Sequence, residues 1–212
     1  MPKIKVKRKS TFIDMTAMSD VTVLLLTFFM LTSTFLKKEP VQVSTPGSVS
    51  EIKIPDKNVF SVLISPEGKV FLDIDNMTTS GENDARVQVL DKMAETYGVT
   101  IADKEKVKFA IGTSFGVPME NMSQFLSLSS EEQDKILMNY GVPTDSTDNQ
   151  FKSWIRFARE VKGKDMVIAI KADQATPYVN IKNVMNSLLD LDENRYNLIT
   201  SLREVKGEKK EH

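Results

Sequence analysis

Residues 12–36 read FIDMTAMSDVTVLLLTFFMLTSTFL. As a helix rising about 1.5 Å per residue they extend roughly 37 Å, enough to cross the hydrocarbon layer of a bilayer. Val21 to Leu36 carries no charge, and Lys37, Lys38, Glu39 and Pro40 mark the return to water and the end of the helix. Lys3, Lys5, Lys7, Arg8 and Lys9 precede the run, whereas only Lys37 and Lys38 follow it directly. The positive-inside rule therefore puts the N-terminus in the cytoplasm and everything beyond Lys37 outside. A cleaved signal peptide shares the basic start and apolar middle, but two acids inside the run and no small-x-small site before Lys37 argue against it. A buried helix of a soluble protein fits the basic arm poorly.

Asp20 lies within this run. A carboxylate near the bilayer centre costs about 2.5–3.5 kcal/mol on insertion scales, so its presence calls for a function. A group that alternates between a neutral, protonated form and a charged one is what a proton carrier requires. The bland alternative is that Asp20 sits among headgroups and caps the helix that begins at Val21. Asp20, Thr27 and Thr34 recur every seven residues, with Thr16 one turn before Asp20, which draws a polar stripe along one helix face. Such a face belongs against a partner helix or a wet passage, unless the threonines merely bond their own preceding carbonyls. Asp14, about 120° around the helix from Asp20, reads as a solvated end residue.

Composition removes other functions. Hydrophobic residues are 41% and charged residues 27% of the 212. The mean hydropathy of -0.23 allows one span and excludes a polytopic membrane protein. A net charge of -1 offers no field for nucleic acid. There is no cysteine and the one histidine is His212, so thiolate and multi-histidine metal sites, catalytic dyads and most hydrolase mechanisms lose their groups. No catalytic residue, metal ligand or cofactor is expected.

The basic arm followed by IDMTAMSDVTVLLLTFFMLTS resembles the membrane signature of the ExbD/TolR biopolymer-transport family. The resemblance places Asp20 on the family's membrane aspartate and so implies its proton-carrying role. Where members show an asparagine followed by a threonine-proline pair, this chain has Asp14, Thr16 and Ala17. It also implies a homodimer whose helices sit within a ring of ExbB/TolQ-like multi-span subunits, working on a TonB-like periplasmic protein from the inner membrane.

Beyond the span, residues 37–50 are expected to be a flexible linker, because VQVSTPGSVS has no helical period. Residues 51–203 are expected to form a small α+β periplasmic domain in the order strand, strand, helix, strand, helix, strand (ββα…βαβ). The hairpin runs through Val59, Ser61 and Leu63, turns at Pro66-Glu67-Gly68 and returns through Val70, Leu72 and Ile74. A helix from Asn83 to Tyr97 buries Val87, Leu90, Ala94 and Tyr97 and stops at Gly98. Asp165 to Lys171 is a strand. Thr176 is expected to cap a helix with Pro177 at its first position and Tyr178, Ile181, Met185 and Leu188 buried, and Tyr196 to Leu202 closes the sheet. IAIKADQATPY and NLITSL are similar to the corresponding family segments, whose domain has this order.

Residues 99–163 depart from compact family members as a mainly helical insertion. Pro118–Leu128, Ser129–Asn139 with SSEEQ as capping signal, and Asn149–Val161 with Phe151, Trp154, Ile155, Ala158 and Val161 on one face are the expected helices. Trp154 keeps the apolar period and is expected in the core. Glu131-Glu132 and Asp190-Asp192 read as solvated acids, and the insertion either thickens the domain or docks a partner. Residues 1–11 form the cytoplasmic arm and 204–212 a disordered tail. The functional expectation is a subunit of a proton-motive-force-driven motor energising TonB-dependent transport. A Tol-type envelope role and a non-conducting membrane-tethered binding module are the alternatives.

Overall fold

The computed structural model describes residues 15–32, 43–48, 58–75, 84–145, 148–199 and 201–202. The chain divides into two units, residues 1–37 and 38–212. The arm 1–11, the tail 204–212, Asp14, Thr34 and the outer parts of the expected span and linker lie outside the described residues.

The first unit contains one helix, α1 (Met15–Thr32), with no buried residue. Its mean hydropathy is 1.6. Eighteen residues correspond to about 27 Å, close to the thickness of a hydrocarbon core. Leucines and phenylalanines of α1 stand exposed all around it, so the helix presents an apolar surface on every side.

The second unit is a mixed α/β domain. Its strands are β1 (Gly47–Ser48), β2 (Val59–Ile64), β3 (Val70–Ile74), β4 (Val167–Ala172), β5 (Tyr196–Ile199) and β6 (Ser201–Leu202). Its helices are α2 (Ala85–Tyr97), α3 (Asp103–Ile111), α4 (Met122–Ser127), α5 (Ser130–Leu137), α6 (Gln150–Lys162) and α7 (Tyr178–Leu189). The main sheet has the order β3-β2-β4-β5. The β2–β3 pair is antiparallel, with Phe60 opposite Ile74, and the tight turn between them needs Gly68 at φ 84°. β2–β4 and β4–β5 are parallel, with Val62 opposite Ile170. Parallel neighbours require crossovers; α7 makes the second, and the first contains every helix from α2 to α6. The two central strands carry Phe60, Val62, Ile64, Ile168, Ala169 and Ile170 fully buried, as expected of strands covered on both faces.

Helix ends follow local chemistry. The Asp84 side chain accepts from the backbone of Arg86 at 2.9 Å and starts α2, and Gly98 at φ 66° ends it. The Asn149 side chain accepts from Lys152 at 3.1 Å at the start of α6, and the Gly163 N–H closes on Arg159 O. Glu132 accepts from the backbone N–H of Ser129 at 3.1 Å and from its hydroxyl at 2.8 Å, which opens α5.

Several expectations are corrected. α3 was not anticipated, because DKEKVKFAI is polar on nearly every side and buries Phe109 alone. The single helix expected over Pro118–Leu128 is a 3-10 turn, Met119–Asn121, followed by the short α4. Thr176 does not cap α7; it is buried and its hydroxyl donates to Ser65 O at 3.0 Å. Tyr178 is 69% exposed, since the covered face of α7 begins with Ile181 and continues through Val184 and Leu188. The closing strand is split: β5 ends the main sheet, whereas β6 pairs in parallel with β1.

That last pairing changes the expected linker. Between residues 43 and 48 the chain is bound to the domain, with Ser44 N–H donating to Asp173 Oδ2 at 2.7 Å and Gln174 N–H to Ser44 O at 2.8 Å.

Candidate functional site

On α1 the structure carries Thr16, Asp20 and Thr27 in one uninterrupted helix. Seven residues advance an α-helix by about 10 Å and leave a residual rotation of roughly 20°, so Asp20 and Thr27 share a side. The Asp20 side chain is the sole charged one of α1 and makes no hydrogen bond or ion pair among the described residues. Thr27 Oγ1 donates to Leu24 O at 2.9 Å, and Thr22 and Thr32 donate to Met18 O and Phe28 O at 2.8 Å each. These hydroxyls satisfy themselves within the helix, which removes the cost of carrying them on an apolar surface. Thr34, the fourth member of the expected stripe, lies outside the described residues.

The domain holds a second ionisable group in apolar surroundings, and sequence reasoning missed it. Arg86 is 1% exposed. Its Nη1 donates to Asp73 Oδ1 at 3.3 Å on β3, and its Nη2 donates to the backbone carbonyl of Thr113 in the insertion. The guanidinium carbon lies 4.7 Å from the Phe109 ring centre and 5.8 Å from that of Phe115. Phe115 and Trp154 approach to 4.7 Å, and Phe109 and Phe115 to 4.9 Å. Arg86 is thus the point where strand, helix and insertion meet. Burial pulls its pKa below the ordinary guanidinium value, and only the nearby Asp73 and Asp84 pull it back up. An arginine stays charged at any working pH even so. The sequence signal was a lone cation at positions i, i+4 and i+7 with Leu90 and Met93, both buried.

Asp173, within the family-like segment IAIKADQATPY, forms the third arrangement. Its Oδ1 accepts from Ala175 N–H at 2.8 Å while its Oδ2 holds Ser44. One carboxylate therefore shapes the loop after β4 and fastens the segment that comes from α1. The acids Glu131 and Glu132 are exposed, and Asp190 pairs with Lys152 at 2.5 Å. None of these converges with another acid to form a metal site among the described residues.

The family described as biopolymer transport protein ExbD/TolR matches residues 6–202, nearly the whole chain. The match includes α1, the main sheet and the insertion. No curated protein and no solved structure shows a match.

Proposed function

The chain belongs to the ExbD/TolR family of biopolymer transport proteins, and from that premise we propose that it is the single-span subunit of a proton-driven motor. In this reading α1 crosses the inner membrane with residues 1–11 in the cytoplasm. Residues 37–50 connect it to a periplasmic domain, residues 51–203. Two copies place their helices inside a ring of ExbB/TolQ-like multi-span subunits, and the domain works on a TonB-like protein to energise uptake across the outer membrane.

The observation that carries the proposal is α1 itself: a bilayer-length apolar helix with one ionisable side chain and no buried residue. The ring subunits would cover it, and Asp20 would take up and release the proton. Thr16, Thr27 and Thr34 would mark the face along which it travels. One elementary charge crossing 100 mV releases about 2.3 kcal/mol, so a few protons per step match a packing rearrangement of ordinary size. The change of charge on Asp20 would alter how the helices pack, and the segment fastened by Asp173 would pass that movement to the domain.

One observation favours a second reading. The Thr27 hydroxyl is spent on its own backbone, which suits a tethered binding module whose Asp20 only fixes a helix dimer. Asp20→Asn separates the two, since it keeps shape and hydrogen bonding. Energy-dependent uptake should vanish while blotting and pull-down show normal insertion and normal binding to the ring subunit. Full uptake in that variant sinks the motor and leaves the tethered module; uptake of a different dependence, on envelope integrity, points to a Tol-type role.

A further inference from the structure

The exposed apolar side chains of the domain are not spread evenly. Of the four tyrosines, Tyr97 and Tyr196 pack against the core, whereas Tyr140 is 43% and Tyr178 is 69% exposed. Met138 and Val179, near them in sequence, are 62% and 65% exposed. Hydrogen bonds gather all four at one end of the main sheet, where Ile64 stands opposite Val70 and Ala172. On one side Lys69 Nζ donates to Met138 O at 2.5 Å and Val142 N–H to Val70 O at 2.8 Å, which holds the segment after α5 against the β2–β3 turn. On the other, Thr176 Oγ1 donates to Ser65 O at 3.0 Å, and a Cβ at Gly68 would run into the Asn180 side chain, so the start of α7 lies against the same turn.

The chain that comes from α1 joins the domain at this end. Val43 packs on the core, Ser44 is held by Asp173 and Gln174, and Asp173 N–H donates to Ile64 O at 3.2 Å. Residues 33–42 separate Thr32 from Val43, and 33–36 continue the apolar run. The six that remain, 37–42, reach about 20 Å at full extension. A compact domain the length of residues 43–202 has a radius of gyration of roughly 15 Å. So short a tether keeps the end it joins beside the bilayer that α1 crosses.

Charge does not oppose contact with lipid there. Glu67 pairs with Lys69 at 2.5 Å, and the Asp173 carboxylate is taken up by the N–H groups of Ser44 and Ala175. Lys182, one turn after Tyr178, is exposed and suits headgroup phosphates. Tyrosine, an apolar ring with a polar tip, is a side chain favoured at headgroup level. We infer that this end of the domain rests on the surface of the lipid bilayer through Tyr140, Tyr178, Met138 and Val179. The inference rests on α1 spanning the membrane and on nothing about a motor.

The chain has no cysteine, so single substitutions carry bimane, a small uncharged fluorophore, to one position each. Asn183→Cys puts it on the exposed side of α7 one turn past Val179, Lys164→Cys just before β4 at the sheet's other end, and Leu26→Cys within α1. The full chain is reconstituted in phosphatidylcholine liposomes carrying a nitroxide quencher on either the headgroup or the acyl chain. We expect the acyl quencher to act at position 26, and the headgroup quencher to act at position 183 while leaving position 164 bright. Tyr140→Ser combined with Tyr178→Ser should lower the docked-to-free ratio read at position 183 by at least about tenfold, because two rings leave the interface. Both are surface positions, so Trp154 emission should not change. Equal headgroup quenching at 183 and 164, with position 26 quenched, overturns the inference and leaves the span; quenching at 183 that survives the loss of both tyrosines does the same. A label at position 26 untouched by the acyl quencher overturns the span and the inference with it.

Discussion

Asp20 and Arg86 are both ionisable side chains among apolar neighbours, and the protein treats them in opposite ways. Around Arg86 the fold supplies the Asp73 carboxylate, the Thr113 carbonyl and the faces of Phe109 and Phe115. Around Asp20 the described residues supply nothing, and the helix that carries it is exposed from end to end. A buried charge compensated from within is a fixed part of the structure, costly to disturb and of no use as a switch. A charge that the described residues leave uncompensated on an apolar helix is costly to hold in a bilayer and stays open to a partner. The domain thus spends its cation on rigidity, while the span keeps its acid available.

Two substitutions break this comparison if it is wrong. Asp20→Asn should abolish energy-dependent transport yet leave unfolding of the domain within about 0.5 kcal/mol of the parent, as for a substitution that touches nothing there. Arg86→Met should do the reverse in origin. It leaves Asp73 and Asp84 with no buried cation between them, and the domain should lose about 3–5 kcal/mol. Urea denaturation of the full chain in mild detergent, followed by Trp154 emission, measures both. Near-equal stability of the Arg86 and Asp20 variants would mean that the insertion is not tied through Arg86.

Asp173→Ala should have a smaller effect, because it removes two hydrogen bonds at a partly exposed loop, about 1–3 kcal/mol in sum. Its mark is local: amide exchange at residues 43–48 should accelerate while the main sheet keeps its protection. Transport would then fall through slack in the connection, with Asp20 and its surroundings untouched. Unchanged exchange at Ser44 would show that the β1–β6 pairing holds this segment without the carboxylate.

How much of this could be read from the residues depends on the range of the interaction that decides each feature. The span announces itself in a continuous apolar run, and the hairpin in Pro66-Glu67-Gly68 between alternating residues. α6 shows its period through Phe151, Trp154, Ile155 and Ala158, all fully buried. α3 escaped because Phe109, its one buried residue, is anchored by rings at positions 115 and 154 rather than by its own neighbours. Arg86 escaped because its partners lie 13 and 27 residues away. The closing segment looked like one strand since residues 196–202 share one composition, and only the pairing with Gly47–Ser48 separates its end. On α1 the seven-residue spacing of Asp20 and Thr27 was plain, but what the hydroxyl does was not, for it depends on which acceptor lies within reach.

Thr27→Val sharpens that point with the smallest effect. Valine keeps the shape of threonine, and the bond it loses, to Leu24 O, is local to the helix, so insertion and assembly should not change. If Thr27 only satisfies itself, transport should not change either. A face that carries protons past Asp20 needs the hydroxyl to turn at some stage toward water or a neighbouring helix, where such a bond is worth about 0.6 kcal/mol on average. We therefore expect uptake to fall about threefold, the factor that this energy represents. Thr22→Val provides the control, because it removes an equivalent bond to Met18 O two residues from Asp20 in sequence but on a different side of the helix. A matching loss in both variants would trace the effect to helix stability, and a loss in Thr27→Val alone would locate the polar face.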